Sequence, residues 1–322
     1  MAWWKIGVIA GSYILLMIIR RIKRRNRLCK CPETMEGKTA IITGANCGIG
    51  EATALEMAKR HARVIMACRD LQSADDAVRY IRRYTSNGEL VVRKLDLASL
   101  NSVRDFCGKI LAEENRIDVL VNNAGVFQCP YSKTEDGFEM QMGVNHFGHF
   151  LLTNLLLDRL KKSAPSRIIV VSSALHKRGT IKFNDINSEL EYDKKKGYSD
   201  SKLANALFSR ELSRRLKGTG VSVYCVHPGF VATKLGRHVM SSVVRTLLTP
   251  LAVMLGVKTA EEGCQTIIYC AVSSEVADVT GGYFGSCRQE PWTDAASDLG
   301  AAKKLWELSE TLTGLHATKE MK

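Results

Sequence analysis

A glycine-rich turn between a predicted strand and a predicted helix constrains the fold of this chain more than any other feature. Residues 38–42 are largely apolar and suit a buried strand, and the turn Thr43–Gly50 follows with the spacing Gly-x-x-x-Gly-x-Gly. A helical segment, 51–60, comes directly after the turn. Such glycines let backbone amides approach a pyrophosphate at the positive end of a helix. An ordinary tight turn is the alternative, because the spacing is not Gly-x-Gly-x-x-Gly.

Strand-like and helix-like segments alternate along most of the remaining sequence. Alternating β and α elements predict an α/β fold of Rossmann type, a doubly wound parallel sheet with helices on both faces. No linker rich in Gly, Ser or Pro divides the chain, so a single domain is expected. Ligands of such sheets bind beyond the carboxyl ends of the strands. Further strands are predicted at 62–68, 90–95, 119–121, 167–171 and 221–226, and helices at 100–114, 140–162 and 196–217.

The charged residues at two strand ends indicate which dinucleotide binds. Arg69 is the first charge after the strand 62–68, where an acidic residue usually binds the ribose 2′-hydroxyl of NAD. An arginine there accommodates a 2′-phosphate instead, so the sequence favours NADP(H). Asp70 follows, and it is suited to cap the next helix. Asp96, at the end of the strand 90–95, is placed to reach the adenine.

A tyrosine and a lysine four residues apart, Tyr198 and Lys202, share one face of the helix 196–217. An ammonium beside a phenol favours the phenolate, so a lowered tyrosine pKa is expected. Such a phenol can give or take a proton near neutral pH, as the interconversion of a carbonyl and an alcohol requires. The spacing alone is common on solvated helix faces, so the interpretation depends on the other motifs.

Further motifs accompany the glycine turn and the Tyr198/Lys202 pair. The full set is Thr43–Gly50, Asn122–Gly125, Asn145, the pair Ser172 and Ser173, Tyr198-x-x-x-Lys202, and Pro228-Gly229 followed by Thr233. Together these motifs resemble the short-chain dehydrogenase/reductase family over residues 36–315.

Finer features lie at 45–46, 67–70, 129–131, 136–139, 143–146 and 201–205. They resemble the retinol dehydrogenase/retinal reductase branch of that family, whose members are mostly microsomal, prefer NADP(H) and act on retinoids. Cys47 departs from the usual pattern of the glycine turn, and 174–176 (Ala-Leu-His) varies beside the expected substrate pocket.

The resemblance implies a role for each catalytic residue. Ser173, with Ser172 as the alternative, would hold the substrate oxygen, and Tyr198 would exchange a proton with it. Lys202 would lower the Tyr198 pKa and bind the nicotinamide ribose, while Asn145 would hold a water that links Lys202 to solvent. A mid-helix kink at Asn145 and a strand-end cap at Ser173 are the structural alternatives. The implied cofactor-binding residues are Gly44, Asn46, Cys47, Gly48, Ile49, Gly50, Arg69, Asp96, Leu97, Asn123, Ala124, Gly125, Tyr198, Lys202, Pro228, Gly229 and Thr233.

The N-terminal residues 1–28 have the pattern of a membrane anchor with a basic flank. The uncharged, mostly apolar run 6–19 reaches a marginal spanning length with the residues ahead of it, and basic residues fill 20–27. Basic flanks stay cytoplasmic, so the main domain should face the cytosol, and the resemblance implies the endoplasmic reticulum membrane. A cleaved signal peptide and, for the basic block, a nuclear localisation signal are the rival interpretations.

The positive charge of the chain is concentrated in this N-terminal region. Residues 1–31 carry eight basic residues and no acidic one, so the net charge of +13 falls to +5 for the rest of the chain. That balance argues against nucleic-acid binding by the main domain. Ten cysteines show no zinc-site spacing, so no metal is expected. Cys29 and Cys31 lie where palmitoylation occurs, although two unmodified thiols are equally consistent with the sequence.

Residues 239–256 form an apolar segment with one charge, Arg245, and a break at Pro250, so a second membrane span is not expected. It lies where the family places its substrate lid. We expect either a lid that touches the bilayer and admits a lipophilic substrate, or a buried core helix.

The leading hypothesis is a membrane-anchored, NADP(H)-dependent enzyme that interconverts retinal and retinol. Membrane lipid and a lipophilic retinoid would be its partners, and the resemblance allows a homodimer. The same chemistry on a steroid, fatty-aldehyde or isoprenoid carbonyl is the alternative within this class. A catalytically silent, nucleotide-binding membrane scaffold is the alternative from another class.

Overall fold

The computed structural model describes residues 28–233, 252–253 and 256–315. The predicted anchor, apart from its last residue, and most of the predicted lid at 239–256 lie outside the described residues. No helix within the described ranges is long and apolar enough to cross a membrane.

One sheet runs through the described part of the chain. Its strands are β1 Thr39–Thr43, β2 Arg63–Cys68, β3 Glu89–Lys94, β4 Val119–Asn122, β5 Ser166–Val171, β6 Val221–His227, β7 Gly282–Gly285 and β8 Arg288–Glu290. They lie in the order β3-β2-β1-β4-β5-β6-β7-β8, and every neighbouring pair is parallel except β7 and β8. The strand order reverses between β1 and β4, which creates a crevice at the carboxyl ends of these strands. The predicted parallel α/β fold is confirmed, whereas β7 and β8 were not predicted.

Helices cover both faces of the sheet. They are α1 Gly48–Lys59, α2 Leu71–Arg82, α3 Leu100–Glu113, α4 Gly148–Lys162, α5 Lys194–Arg215, α6 Ala260–Val272, α7 Asp294–Ser297 and α8 Leu299–Leu312. Ile41 packs into the core beneath α3, α4, α5 and α8. Its neighbour Ile42 packs into the opposite core, with α1, α2 and α6. Consecutive strand residues point to opposite faces, so burial of both faces explains why the inner strands are mostly apolar.

The helix predicted at 140–162 has an interruption in its register. A single α-helical turn, Met140–Met142, leads into a π-helical turn, Gly143–Phe147, and then into α4. A π-helical turn shifts the hydrogen-bond ladder by one residue, and such turns are frequent at functional sites. Asn145 lies in this turn, so the local geometry around it differs from a regular helix.

Candidate active site

Helix α5 brings Tyr198 and Lys202 to the carboxyl end of β5. The helix begins after Asp193, whose carboxylate accepts from the amides of Lys195 and Lys196. Tyr198 and Lys202 are one turn further in, and both are buried, with 5% and 4% of their surface exposed. Lys202 Nζ lies 5.7 Å from the centroid of the Tyr198 ring. The predicted pair is therefore adjacent and inside the molecule.

The structure separates the roles of the two serines after β5. The Ser173 hydroxyl is hydrogen-bonded to Tyr198, and it also accepts from the amide of Leu175 at 3.2 Å. The Ser172 hydroxyl instead donates to the main-chain oxygen of Lys202 at 2.7 Å, in a buried position. Successive residues leave a strand on opposite sides. Ser173 is therefore the serine that faces Tyr198, and Ser172 fastens β5 to α5.

The proton affinity of Tyr198 differs from the sequence-based expectation. Burial disfavours the phenolate and raises the pKa of Tyr198 to about 12, although the hydrogen bond from Ser173 acts in the opposite direction. Burial also lowers the pKa of Lys202 to about 8. The prediction of a lowered Tyr198 pKa is therefore wrong for this arrangement, because desolvation by burial is the dominant influence on the phenol. Tyr198 is a protonated phenol near neutral pH, ready to donate to an oxygen.

Asn145 connects the loop after β4 to helix α5. Its Nδ2 donates to Ser201 Oγ at 2.9 Å and to the main-chain oxygen of Val126 at 3.1 Å. Its Oδ1 accepts from the Val126 amide at 2.8 Å. Both amide protons are thus used, so a water held by Asn145 would bind to one of its two carbonyl oxygens.

The glycine turn needs glycine for two different reasons. Gly44 has φ +65°, a left-handed conformation that L side chains rarely adopt. At Gly50 an added Cβ would lie 2.2 Å from the main-chain oxygen of Gly44. Because Gly50 has no side chain, the first turn of α1 can lie close to the end of β1. The amides at the start of α1 therefore face the crevice.

A cavity of about 430 Å³ occupies the crevice at the carboxyl ends of β1 to β4. Of the residues predicted to bind the cofactor, all but Tyr198, Lys202, Pro228 and Gly229 line it. Lys202 borders it, since a Cβ added to Gly125 would lie 3.7 Å from Lys202 Nζ and 3.0 Å from Asn145 Oδ1. The predicted residues lining the cavity are Gly44, Asn46, Cys47, Gly48, Ile49, Gly50, Arg69, Asp96, Leu97, Asn123, Ala124, Gly125 and Thr233.

The two ends of the cavity suit the two ends of a dinucleotide. Arg69, Asp70 and Ser73 line the end beyond β2. The Asp70 carboxylate accepts from Ser73 N at 3.0 Å and Ser73 Oγ at 2.7 Å, which confirms its predicted role as the cap of α2. Arg69 is exposed beside this helix-capping carboxylate, where it can reach a phosphate on the ribose. The Tyr198 and Lys202 pair lies toward the other end, beyond Gly125.

The loop after β6 is held by a lysine that sequence reasoning missed. Lys258 Nζ donates to the main-chain oxygen of Pro228 at 3.0 Å and to Ser286 Oγ at 3.3 Å. Gly229 follows with φ +83°. Further along the loop, Thr233 contacts the position where a Gly48 side chain would lie, at 3.2 Å. Lys258 thus anchors the loop whose end covers the glycine turn.

Thr43 and His149 were also missed as parts of the site. Thr43 Oγ1 accepts from the amides of Asn123 and Ala124, each at 2.9 Å, and bonds to His149 Nε2 at 2.9 Å. The aromatic ring of Phe127 packs edge-on against Tyr198 with centroids 4.6 Å apart. The sequence signals for these two residues were the position of Thr43 at the head of the turn and the four-residue spacing from Asn145 to His149.

Among the described residues, no group of His, Cys, Asp or Glu is arranged to hold a metal ion.

Comparisons with known proteins agree with this geometry. The sequence model of the family described as short chain dehydrogenase matches residues 38–243. Retinol dehydrogenase 14 of Homo sapiens is 56% identical over 297 residues, which cover 88% of this chain and 88% of that protein. Retinol dehydrogenase 13 of Homo sapiens is 49% identical, with 97% and 94% covered. The crystal structure of an uncharacterised protein from Mycobacterium paratuberculosis is 38% identical, with a TM-score of 0.70 and 88% and 95% covered.

Proposed function

Since the chain belongs to the short-chain dehydrogenase family and is an oxidoreductase that uses a nicotinamide dinucleotide, we propose that it interconverts retinal and retinol with NADP(H). The observation that carries the chemistry is the contact between Ser173 and Tyr198 at the end of β5, beside the cavity. A bound nicotinamide supplies or takes up the hydride. The chain's own residues handle the oxygen and the proton.

In the reducing direction, the substrate carbonyl oxygen lies between the two hydroxyls. Ser173 donates a hydrogen bond to that oxygen and holds it in place, while Tyr198 transfers its proton as negative charge develops there. The raised pKa of Tyr198 keeps the phenol protonated until this moment. Lys202, whose pKa lies at about 8, stabilises the phenolate that forms and returns a proton through Asn145 and solvent.

The preference for NADP(H) over NAD(H) rests on Arg69 and Asp70. The Arg69 guanidinium is exposed at the ribose end of the cavity, and the Asp70 carboxylate is engaged with Ser73. A 2′-phosphate therefore meets a cation there, and the neighbouring carboxylate is held on the helix α2 that it caps.

The retinoid substrate and the membrane location rest on other grounds. The two similar human proteins carry the name retinol dehydrogenase, which supports a retinoid for this chain. We propose that residues 1–28 are an uncleaved anchor and that the domain 36–315 lies on the cytosolic side of the endoplasmic reticulum membrane. The N-terminal sequence and the family resemblance support this location. Membrane lipid as a partner rests on the same segment, and a homodimer rests on the resemblance.

An assay of the full-length chain in detergent tests the substrate and the cofactor together. All-trans-retinal, a steroid ketone and a long-chain aldehyde would each be offered with NADPH and with NADH. We expect the highest kcat/KM for all-trans-retinal with NADPH. A higher value for the steroid or the aldehyde would refute the retinoid, and a preference for NADH would refute the role of Arg69.

A further inference from the structure

His149 is a buried histidine that bonds both to Thr43, the residue behind the cavity wall, and to the π-helical turn. It lies on α4, with 1% of its surface exposed. Its Nδ1 bonds to the main-chain oxygen of Asn145 at 3.1 Å, and its Nε2 bonds to Thr43 Oγ1 at 2.9 Å. Both ring nitrogens therefore have a partner, and the two partners belong to different parts of the site.

The partners of His149 determine where its proton lies. A main-chain carbonyl can only accept, so Nδ1 carries the proton and donates to Asn145. Burial lowers the pKa of His149 to about 4, so the ring is neutral and Nε2 has a free lone pair. The Thr43 hydroxyl has two acceptors within reach, His149 Nε2 at 2.9 Å and the main-chain oxygen of Val121 at 3.3 Å. The shorter contact favours donation to Nε2, which leaves the lone pairs of Thr43 Oγ1 free to accept.

This direction of hydrogen bonding matters for the wall of the cavity. Because the Thr43 proton points to His149, the lone pairs of Thr43 Oγ1 face the amides of Asn123 and Ala124 and accept from both at 2.9 Å. Asn123 and Ala124 both line the cavity. His149 thus sets the orientation of the hydroxyl that holds this wall.

The second bond of His149 acts on the proton path. It fixes the main-chain oxygen of Asn145 within the π-helical turn, one of the two oxygens of Asn145 on which a water can bind. We propose that His149 is a positioning residue that orients Thr43 for cofactor binding and Asn145 for proton return. The second half of this proposal rests on the proposed function, whereas the first concerns only the binding of the dinucleotide.

Two substitutions at His149 separate the two contacts. In the same helix, Asn154 Nδ2 donates to the main-chain oxygen four residues back, that of Phe150, at 2.8 Å. His149→Asn can therefore keep the bond to Asn145 but is too short to reach Thr43. His149→Phe keeps a ring and loses both bonds. Leu156→Ala, a cavity-forming change two turns further along α4, controls for general destabilisation.

The readouts are the Kd for NADPH, from the fluorescence of the bound nucleotide, and kcat for retinal. We expect His149→Phe to raise the Kd and to lower kcat, each by about tenfold, the effect of losing one buried hydrogen bond. His149→Asn should raise the Kd to the same extent and recover kcat to within about threefold. Leu156→Ala should lower the Tm and change neither the Kd nor kcat by more than about twofold.

Several outcomes would overturn the proposal. A Kd for NADPH that stays at the wild-type value in both His149 variants would refute the proposal that His149 orients Thr43 for cofactor binding. A kcat in His149→Asn as low as that in His149→Phe would refute the proposal that His149 orients Asn145 for proton return. If His149→Phe does not fold, His149→Asn alone decides, since it must raise the Kd and spare kcat. If the wild-type chain does not reduce retinal, the proposed function fails, while the comparison of Kd values still tests the contact with Thr43.

Discussion

The ammonium of Lys202 donates a hydrogen bond at 3.0 Å to the carbonyl oxygen of Val171, the last residue of β5. The bond fastens α5 to the strand end that leads into Ser173. It also keeps a cation in a site where burial lowers its pKa to about 8. A lysine with a depressed pKa makes the folded protein less stable below that pKa, so the buried ammonium of Lys202 costs stability, as its proposed catalytic role would require.

Lys202→Met should therefore stabilise the protein while inactivating it. The ordinary lysine pKa is 10.5, so between pH 8 and 10.5 the unfolded chain binds more protons and stability rises with pH. At pH 7 the full cost of burial is present, and we expect the free energy of unfolding to rise by about 1–3 kcal/mol. Val171 keeps a donor, because Asn205 Nδ2 lies 3.3 Å from the same oxygen. Urea denaturation at pH 7 measures the change, and a loss of stability would contradict the argument.

Arg69→Ala should weaken NADPH binding without affecting NADH. The loss of one cation beside a 2′-phosphate is expected to raise the Kd for NADPH by about 10- to 100-fold. Arg83→Ala, at another exposed arginine beyond the far end of α2, is the matched control and should leave both Kd values unchanged. Equal weakening of NADPH and NADH by Arg69→Ala would mean that Arg69 does not read the 2′-phosphate.

Gly50→Ala and Gly108→Ala should change stability in opposite directions. At Gly50 the new Cβ would lie 2.2 Å from the main-chain oxygen of Gly44, so α1 must move away from β1. We expect a loss of about 1–3 kcal/mol in the free energy of unfolding and weaker cofactor binding. At Gly108, inside α3, a Cβ meets nothing within 4 Å, so alanine should stabilise the helix by up to about 1 kcal/mol. Thermal denaturation compares the two, and equal effects would refute the steric account.

Acid should destabilise the protein through two buried histidines. Burial lowers the pKa of His146 to about 3 and that of His149 to about 4, whereas an unfolded histidine titrates near 6.5. Between pH 6.5 and 4 the unfolded chain therefore binds more protons than the folded one, and stability falls as pH falls. Each histidine should contribute up to about 1.4 kcal/mol per pH unit in this window. Denaturation in urea at pH 7.5, 6.0 and 5.0 measures the slope, which His149→Phe should reduce.

The sequence was sufficient to predict those strands, helices and turns that carry strong local patterns. The inner strands β1, β2, β4, β5 and β6 are mostly apolar because both of their faces are buried, whereas the edge strand β3 is only partly buried and carries Glu89, Arg93 and Lys94. The glycine turn identified the crevice between β1 and β4. The short strands β7 and β8 have no such pattern, since glycines at 282 and 285 bound β7. Pairing with β6, a contact between distant parts of the chain, places β7 in the sheet, and β8 is placed by its antiparallel pairing with β7.

Within the site, what escaped the sequence depended on the third dimension. In the sequence, Ser173 is preferred over Ser172 on the family resemblance alone, because the side on which each serine leaves β5 is not specified by the pattern of the sequence. The raised pKa of Tyr198 follows from its burial, which opposes the charge effect that the spacing to Lys202 suggests. The contact of His149 with Thr43 joins residues 106 positions apart, so it appears only after the sheet has formed.

The central claim is that Tyr198 gives its proton to the substrate oxygen. Reduction of all-trans-retinal by NADPH would be followed with the full-length chain, the variant Tyr198→Phe and the control Tyr131→Phe, which alters a partly exposed ring. Tyr198→Phe should lower kcat by about 10²- to 10⁴-fold with an unchanged Kd for NADPH, and Tyr131→Phe should keep wild-type turnover. A Tyr198→Phe variant that turns over retinal at the wild-type rate would contradict the account.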